Sequence, residues 1–324
     1  MVGALRRFLQ PRSTPYHRSP GITTLPAAEQ CVFIVGAARS GSTVLQNALN
    51  DSSDIFLLGE ANFHSDPNTP DFAARYNAMH RSWANQENKS SYCPPVLAGD
   101  GRWNDFLCQL AQQYRLVGAR TVITAAGAES AAEDWFAFHC RHFLKSRYIF
   151  TFRDPLATLL STQELQRYTI GKAESLAWVM RNYLAMIALY LRCVRLLPYV
   201  QAVCHEDIDR AGFDRLEAWL GVPLPHAHLY YDPTRIRAYS DAVLDANSRL
   251  KMAPIKALYG HLRHGARDGF ALPQLDQNNE HLSNTHFTPL GRLARDTAKL
   301  MANLSADCST SVTSSLQNSA AGSP

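Results

Sequence analysis

Hydrophobic positions along this chain change their period several times, and each change marks a predicted element. Residues 31–35, CVFIV, form an unbroken apolar run. That is the pattern of a strand buried on both faces, as in a parallel sheet. From Ser42 onward, Val44, Leu45, Ala48 and Leu49 fall on one helical face. DIFLLGE (54–60), RTVIT (120–124), RYIFTF (147–152) and YVQAVCHEDI (199–208) predict further strands, the last closing in a turn. Helical periods cover DFLCQLAQQYRL (105–116), AAEDWFAFHCRHFL (131–144), a long stretch at about 173–197, and FDRLEAWLGV (213–222), closed by Gly221. Asp154 and Pro155 start another helix: aspartate accepts from free N–H groups, and proline suits the first turn. Helical pieces follow near 241–262 and 288–304, while residues 61–101 read as an irregular insertion with short helices.

Strands alternating with helices predict an α/β fold, with a parallel central sheet flanked by helices on both faces. Ligands of such sheets bind beyond the carboxyl ends of the strands. The predicted organisation is one domain over 30–304, with a core at 31–225 and a helical C-terminal part at 226–304. Residues 1–29 carry Arg6, Arg7, Arg12 and Arg18 with no acid before Glu29, and read as a disordered basic leader. Residues 305–324 are a Ser-rich tail, and no internal repeat is visible.

Composition narrows the function. A formal net charge of +4 in 324 residues suits a local anion site and not a nucleic-acid binder. Arg181, Arg192 and Arg195 interrupt the most apolar long stretch, 176–197, which reads as a core helix and not a membrane span. The seven cysteines form no C-x-x-C pair, so they read as free thiols in a reducing, cytoplasmic setting. HCRH (139–142) and HLRH (261–264) each place two histidines three apart. No third ligand is evident, so both read as packing or surface residues, and no metal is expected.

The chemistry concentrates after the first strand, in GAARSGSTVL (36–45). Gly36, Gly41 and Thr43 have the spacing of a nucleotide-binding P-loop, but Ser42 stands where its lysine belongs. Arg39, inside the loop, carries the charge instead. The glycines let backbone approach an anion closely. The N–H groups opening the next helix, and the hydroxyls of Ser40, Ser42 and Thr43, add donors. Other strand ends offer Glu60, Arg153 and Glu206-Asp207. An arginine cannot hold magnesium, so the loop looks specialised for an anion that needs no metal. A P-loop kinase or ATPase with a displaced basic residue, and a non-catalytic nucleotide-binding protein, remain alternatives.

At these residues the chain resembles the sulfotransferase superfamily, which uses 3′-phosphoadenosine 5′-phosphosulfate (PAPS), in the style of its bacterial and glycan-directed members. GAARSGST is similar to the family's first signature, a P-loop-like turn with a basic residue inside it. YIFTFRDPLATLLS is similar to the second: a strand, Arg153-Asp154-Pro155, and Ser161 eight residues after the arginine. VQAVCHEDIDRAGFDRLEAWLGVPL resembles a looser third block, in which Glu206 and Asp207 read as a structural turn that caps the next helix. The resemblance implies a P-loop-like three-layer fold. It also implies PAPS as co-substrate, with the 5′ side held by Gly36, Arg39, Ser40, Gly41, Ser42 and Thr43 and the 3′-phosphate by Arg153 and Ser161. It implies transfer to a hydroxyl of a carbohydrate, glycolipid or other small metabolite, with no metal and no nucleic-acid partner. Glu60 is the expected base, as in relatives with a Gly-Glu after the first helix, and His64 is the second candidate. Arg120 stands where several relatives place a lysine beside the sulfuryl group. The relatives' adenine-side basic loop is echoed only faintly by Arg263-His264-Gly265, with Arg235 or Arg237 as substitutes.

Overall fold

The computed structural model describes residues 28–65, 71–84, 101–123, 128–231, 239–268 and 290–304. The leader before residue 28, the tail after 304, and Arg235 and Arg237 lie outside them. Five parallel strands form the sheet: β1 (Cys31–Gly36), β2 (Ile55–Gly59), β3 (Leu116–Val122), β4 (Arg147–Phe152) and β5 (Tyr199–Cys204), in the order β2-β3-β1-β4-β5. Nine helices accompany them among the described residues: α1 (Ser42–Leu49), α2 (Phe72–Ala84), α3 (Trp103–Ala111), α4 (Ala128–His142), α5 (Pro155–Ile170), α6 (Leu176–Leu196), α7 (Arg210–Leu220), α8 (Ala246–Asp268) and α9 (290–304). This is the predicted α/β class, a three-layer P-loop-like sandwich.

Strand β1 is buried along its length because it is central. Its alternate side chains feed two cores. Cys31, Phe33 and Val35 join the larger cluster, which takes in α3, α4, α6 and α8. Val32 and Ile34 join a smaller one beneath α1 and α7. Period-2 alternation puts neighbouring residues on opposite faces, so an all-apolar strand needs a helical layer on each side.

Local signals start and stop the helices as the sequence predicts. Asp154 caps α5, accepting from the Ala157 N–H at 2.9 Å, with Pro155 in the first turn. Gly221, at φ 71°, closes α7, and its N–H donates to the Glu217 carbonyl at 2.8 Å.

Two expectations change. Strand β3 begins at Leu116, four residues before the predicted RTVIT, and α3 ends at Ala111 instead of 116. Pairing with β1 on one side and β2 on the other extends the strand backwards. Arg120 is consequently inside the sheet, in register with Ile34 and Gly59, and not at a strand end. The capping role expected of Glu206 and Asp207 belongs to Asp209, which accepts from the Gly212 N–H at 2.7 Å. Glu206 instead accepts from the Asp154 N–H at 2.8 Å and from the Tyr259 hydroxyl. Asp207 takes a two-point contact from Arg263, at 2.8 and 2.7 Å. Both acids therefore fasten the turn after β5 to α5 and α8. Arg263 lies within α8 and is bound there, so the Arg263-His264-Gly265 echo is not a loop.

Candidate active site

At the carboxyl ends of β1, β3, β4 and β5 lies a cleft of about 320 Å³. Its lining includes Arg39, Gly41, Ser42, Thr43, Glu60, Arg120, Arg153 and His205. The sheet order explains the meeting: β1 runs between β3 and β4, so the ends of all three open at one place. Ligands of open α/β sheets bind in such a crevice.

The loop after β1 is held against β4. A Cβ on Gly36 would stand 2.2 Å from Thr151 Oγ1 and 2.5 Å from Ser40 Oγ, so only glycine fits. The Ser40 hydroxyl donates to the Ala37 carbonyl at 2.8 Å and lies 2.7 Å from Thr151 Oγ1. It is buried and serves the loop's own shape, whereas the sequence reading counted it among the anion's donors. Gly41 has φ 93° and leads directly into α1. Arg39 adopts φ 66°, a conformation uncommon outside glycine and frequent where function holds a backbone in place.

Arg39 reaches across the cleft to the second signature. Its Nε donates to Ser161 Oγ at 2.8 Å, a bond spanning 122 positions of sequence. Burial, and next the positive charge of Arg153, pull the Arg39 pKa below its ordinary value. Two guanidinium groups are thus close enough to repel. The Arg153 backbone is fixed by the Tyr183 hydroxyl, which donates to its carbonyl at 2.9 Å. Its Nε is buried with no hydrogen-bond partner among the described residues. Burying an unpaired donor on a cation is costly. Both features, the crowded charges and the orphaned donor, are relieved by an anion between the two arginines.

On the other flank, Arg120 is 2% exposed. Its Nη2 lies 2.7 Å from Glu60 Oε1, its Nε donates to Gln46 Oε1 at 2.8 Å, and its Nη1 approaches Ser42 Oγ at 3.4 Å. It therefore ties the first turns of α1 to the residue after β2. Glu60 itself has φ 51°, again left-handed, and its side chain is 22% exposed at the cleft. The sequence places Arg120 at a strand end as a candidate beside the sulfuryl group; in the fold its mid-strand position buries it.

His64 is not among the cleft residues. Its electrical neighbours are Asp134 and His139, both on α4. Burial lowers its pKa, while Asp134 acts in the opposite sense. His139 of HCRH is fully buried, stacked on Trp135 at 4.0 Å and set edge-on to Phe33 at 4.5 Å, the packing role expected of it. No group of three or more metal-ligating side chains occurs among the described residues. None of the helices described is long and apolar enough to cross a membrane.

Three lining residues with polar side-chain groups have no counterpart among the residues predicted from sequence: His205, Tyr230 and Tyr231. His205 was findable, since it follows β5 as Arg153 follows β4. The tyrosines sit in a short turn brought in against α1, and no local pattern signals that.

Fold and site together define a P-loop-like α/β protein with Arg39 and Arg153 in the cleft at the carboxyl ends of its strands, and with Ser42 where a nucleotide-binding P-loop has its lysine. A family model described as "Sulfotransferase family" matches residues 31–208, more than half of the chain. The chain belongs to this family. Among solved structures it is similar to the sulfotransferase STF9 from Mycobacterium avium, at 14% identity and a TM-score of 0.41, over 72% of this chain and 76% of that one. It is also similar to shikimate kinase from Bacteroides thetaiotaomicron, at 13% identity and a TM-score of 0.28, over 59% of this chain and 98% of that one. No curated protein matches the sequence.

Proposed function

We propose that this sulfotransferase uses PAPS and delivers the sulfuryl group to an acceptor hydroxyl. The observation that carries the reading is the Arg39–Ser161 bond beside Arg153. It joins the two signature segments around a single polar site. The site's donors fit a nucleotide bearing two separate anionic groups. Arg153, with its orphaned Nε, and Ser161 suit a 3′-phosphate. The loop from Arg39 to Thr43 and the N-terminus of α1 suit the 5′ side.

In the transfer, the acceptor oxygen forms a bond to sulfur as the bond from sulfur to the leaving phosphate oxygen breaks. The electron pair departs with that phosphate. Arg39 and the α1 N-terminus stabilise the charge that develops there. Glu60 is the group we assign to take the acceptor's proton. Arg120 holds one carboxylate oxygen and so orients it. The acceptor is a hydroxylated molecule such as a carbohydrate, a glycolipid or another small metabolite, and the protein acts in the cytoplasm.

Thermal unfolding with 3′,5′-adenosine bisphosphate tests the donor. At ~100 times its dissociation constant a ligand adds about 2.7 kcal/mol of stability. The expected result is a clear rise in Tm with the bisphosphate. A rise with ATP and magnesium, but none with the bisphosphate, overturns the proposal in favour of a P-loop kinase or ATPase. Binding without transfer to any hydroxyl in an acceptor screen would leave only a nucleotide-binding protein.

A further inference from the structure

His205 closes the cleft on the side of β5. It is the first residue after that strand. Its ring leans directly on the loop: a Cβ at Gly41 would stand 2.5 Å from His205 Nδ1. That nitrogen is buried and lacks a hydrogen-bond partner among the described residues. Because Nδ1 faces the loop and the residue lines the cleft, Nε2 is the ring nitrogen left on the open side. Tyr231 holds the ring in place, edge-on at 5.1 Å, and its hydroxyl donates to the His205 carbonyl.

The charges of the site leave a deficit. Arg120 is matched by Glu60. Arg39 and Arg153 are the remaining cations of the lining, and the charge of Glu164, on α5, already acts on Arg39. A 3′,5′-bisphosphate brings ~1.5–2 negative charges on each phosphate. A third cation is needed for balance. We propose that His205 supplies it: its ring takes up a proton as the nucleotide binds, and Nε2–H donates to a phosphoryl oxygen.

The groups facing the ring explain why the proton arrives with the ligand and not before. From the end of β4 it meets Arg153, from the loop Arg39, and from the following turn the phenols of Tyr230 and Tyr231. In its own turn Glu206 is engaged by Asp154 and Tyr259, and Asp207 by Arg263. Burial foremost, and Arg153 next, push the His205 pKa down to about 4. In the ligand-free protein the ring is neutral at physiological pH. A dianion beside it reverses the Arg153 contribution and raises that pKa. Binding then takes up protons over the window between the two values, and affinity rises as pH falls through it, by at most about tenfold per pH unit for one proton.

This inference rests on the donor assignment above, and calorimetry distinguishes their failures. Binding of 3′,5′-adenosine bisphosphate is measured at about pH 6 and about pH 8, in buffers of different ionisation heat, which counts protons taken up. Wild type and His205→Gln are compared, because proton changes on the ligand's own phosphates are common to both. The expected result is a larger uptake by wild type at the lower pH, with the difference vanishing at the higher. Equal counts at both pH values overturn the role of His205 and leave the donor assignment standing. No binding by wild type at either pH overturns both. Should His205→Gln not fold, histidine ring resonances of the wild type provide the same test. The His205 titration moves upward with bisphosphate if the inference holds, and an unmoved titration refutes it.

Discussion

Arg120 and Glu60 form an ion pair with one member inside the sheet and the other at the cleft. Glu60→Gln therefore has two expected effects. Loss of the proton acceptor abolishes sulfuryl transfer, measured with labelled donor, while bisphosphate affinity stays within a few-fold. Leaving the Arg120 charge without its counter-ion also lowers stability, by about 1–3 kcal/mol in denaturant unfolding. Full activity in this variant would move the base elsewhere. Arg153→Ala has the reverse profile. It removes a charge-assisted contact of about 2 kcal/mol, which weakens bisphosphate binding about 30-fold. These contrasts rest on position. Glu60 and Arg153 were legible in the sequence because each follows an apolar run. Arg120 was legible as a candidate, but its burial was not. A strand boundary misplaced by four residues turned a mid-sheet side chain into a strand-end one.

At the scale of elements, the loop and α1 act as one piece with β4 and with the turn after β5. Gly36 presses on Thr151, and Gly41 presses on His205. Gly41→Ala would put a methyl group into the His205 ring at a positive φ. The backbone strain alone costs about 1–2 kcal/mol, and the loop must also shift. The expected outcome is a folded protein of lower Tm with bisphosphate affinity reduced at least tenfold, read by calorimetry. Unchanged affinity would show that the loop binds nothing. Apart from the unread caps Ser175 and Asp209, the start of α5 and the stop of α7 were legible in the sequence, since Asp154 and Gly221 act on N–H and carbonyl groups a few residues away. Helix α8 was less so. It continues through Pro254 as one helix, because Met252, Ile255, Leu258, Tyr259 and Leu262 bury a common face in the larger core. That burial outweighs the hydrogen bond proline forgoes.

For the whole molecule, the fold disfavours the charged form of several histidines, His139 fully buried and His64 and His205 partly so. Burial lowers the pKa values of His64, His139 and His205 below the ordinary value. The unfolded chain, whose histidines titrate near ~6.5, then binds more protons than the native one at acid pH. Stability is complete above that value and falls as pH drops through it towards the lower native values. Each histidine contributes at most about 1.4 kcal/mol per pH unit. Tm is expected to fall between about pH 7 and pH 5, and His139→Phe, which keeps an aromatic ring against Trp135, to flatten that fall. An identical acid limb in the variant would show that His139 carries none of it.

The amino-acid sequence alone determined the alternation of strands and helices, the loop after β1, and the second signature after β4. All of these follow from interactions over a few residues: hydrophobic period, caps and turn glycines. The order β2-β3-β1-β4-β5 came only from the tertiary structure. That order sets Arg39 against Ser161 and Arg153, ties Arg120 to Glu60, turns the Ser40 hydroxyl inward and brings His205 onto Gly41. Such pairings depend on which strand lies beside which and in what register. Register is decided by burial over the whole sheet, which no short stretch of residues encodes.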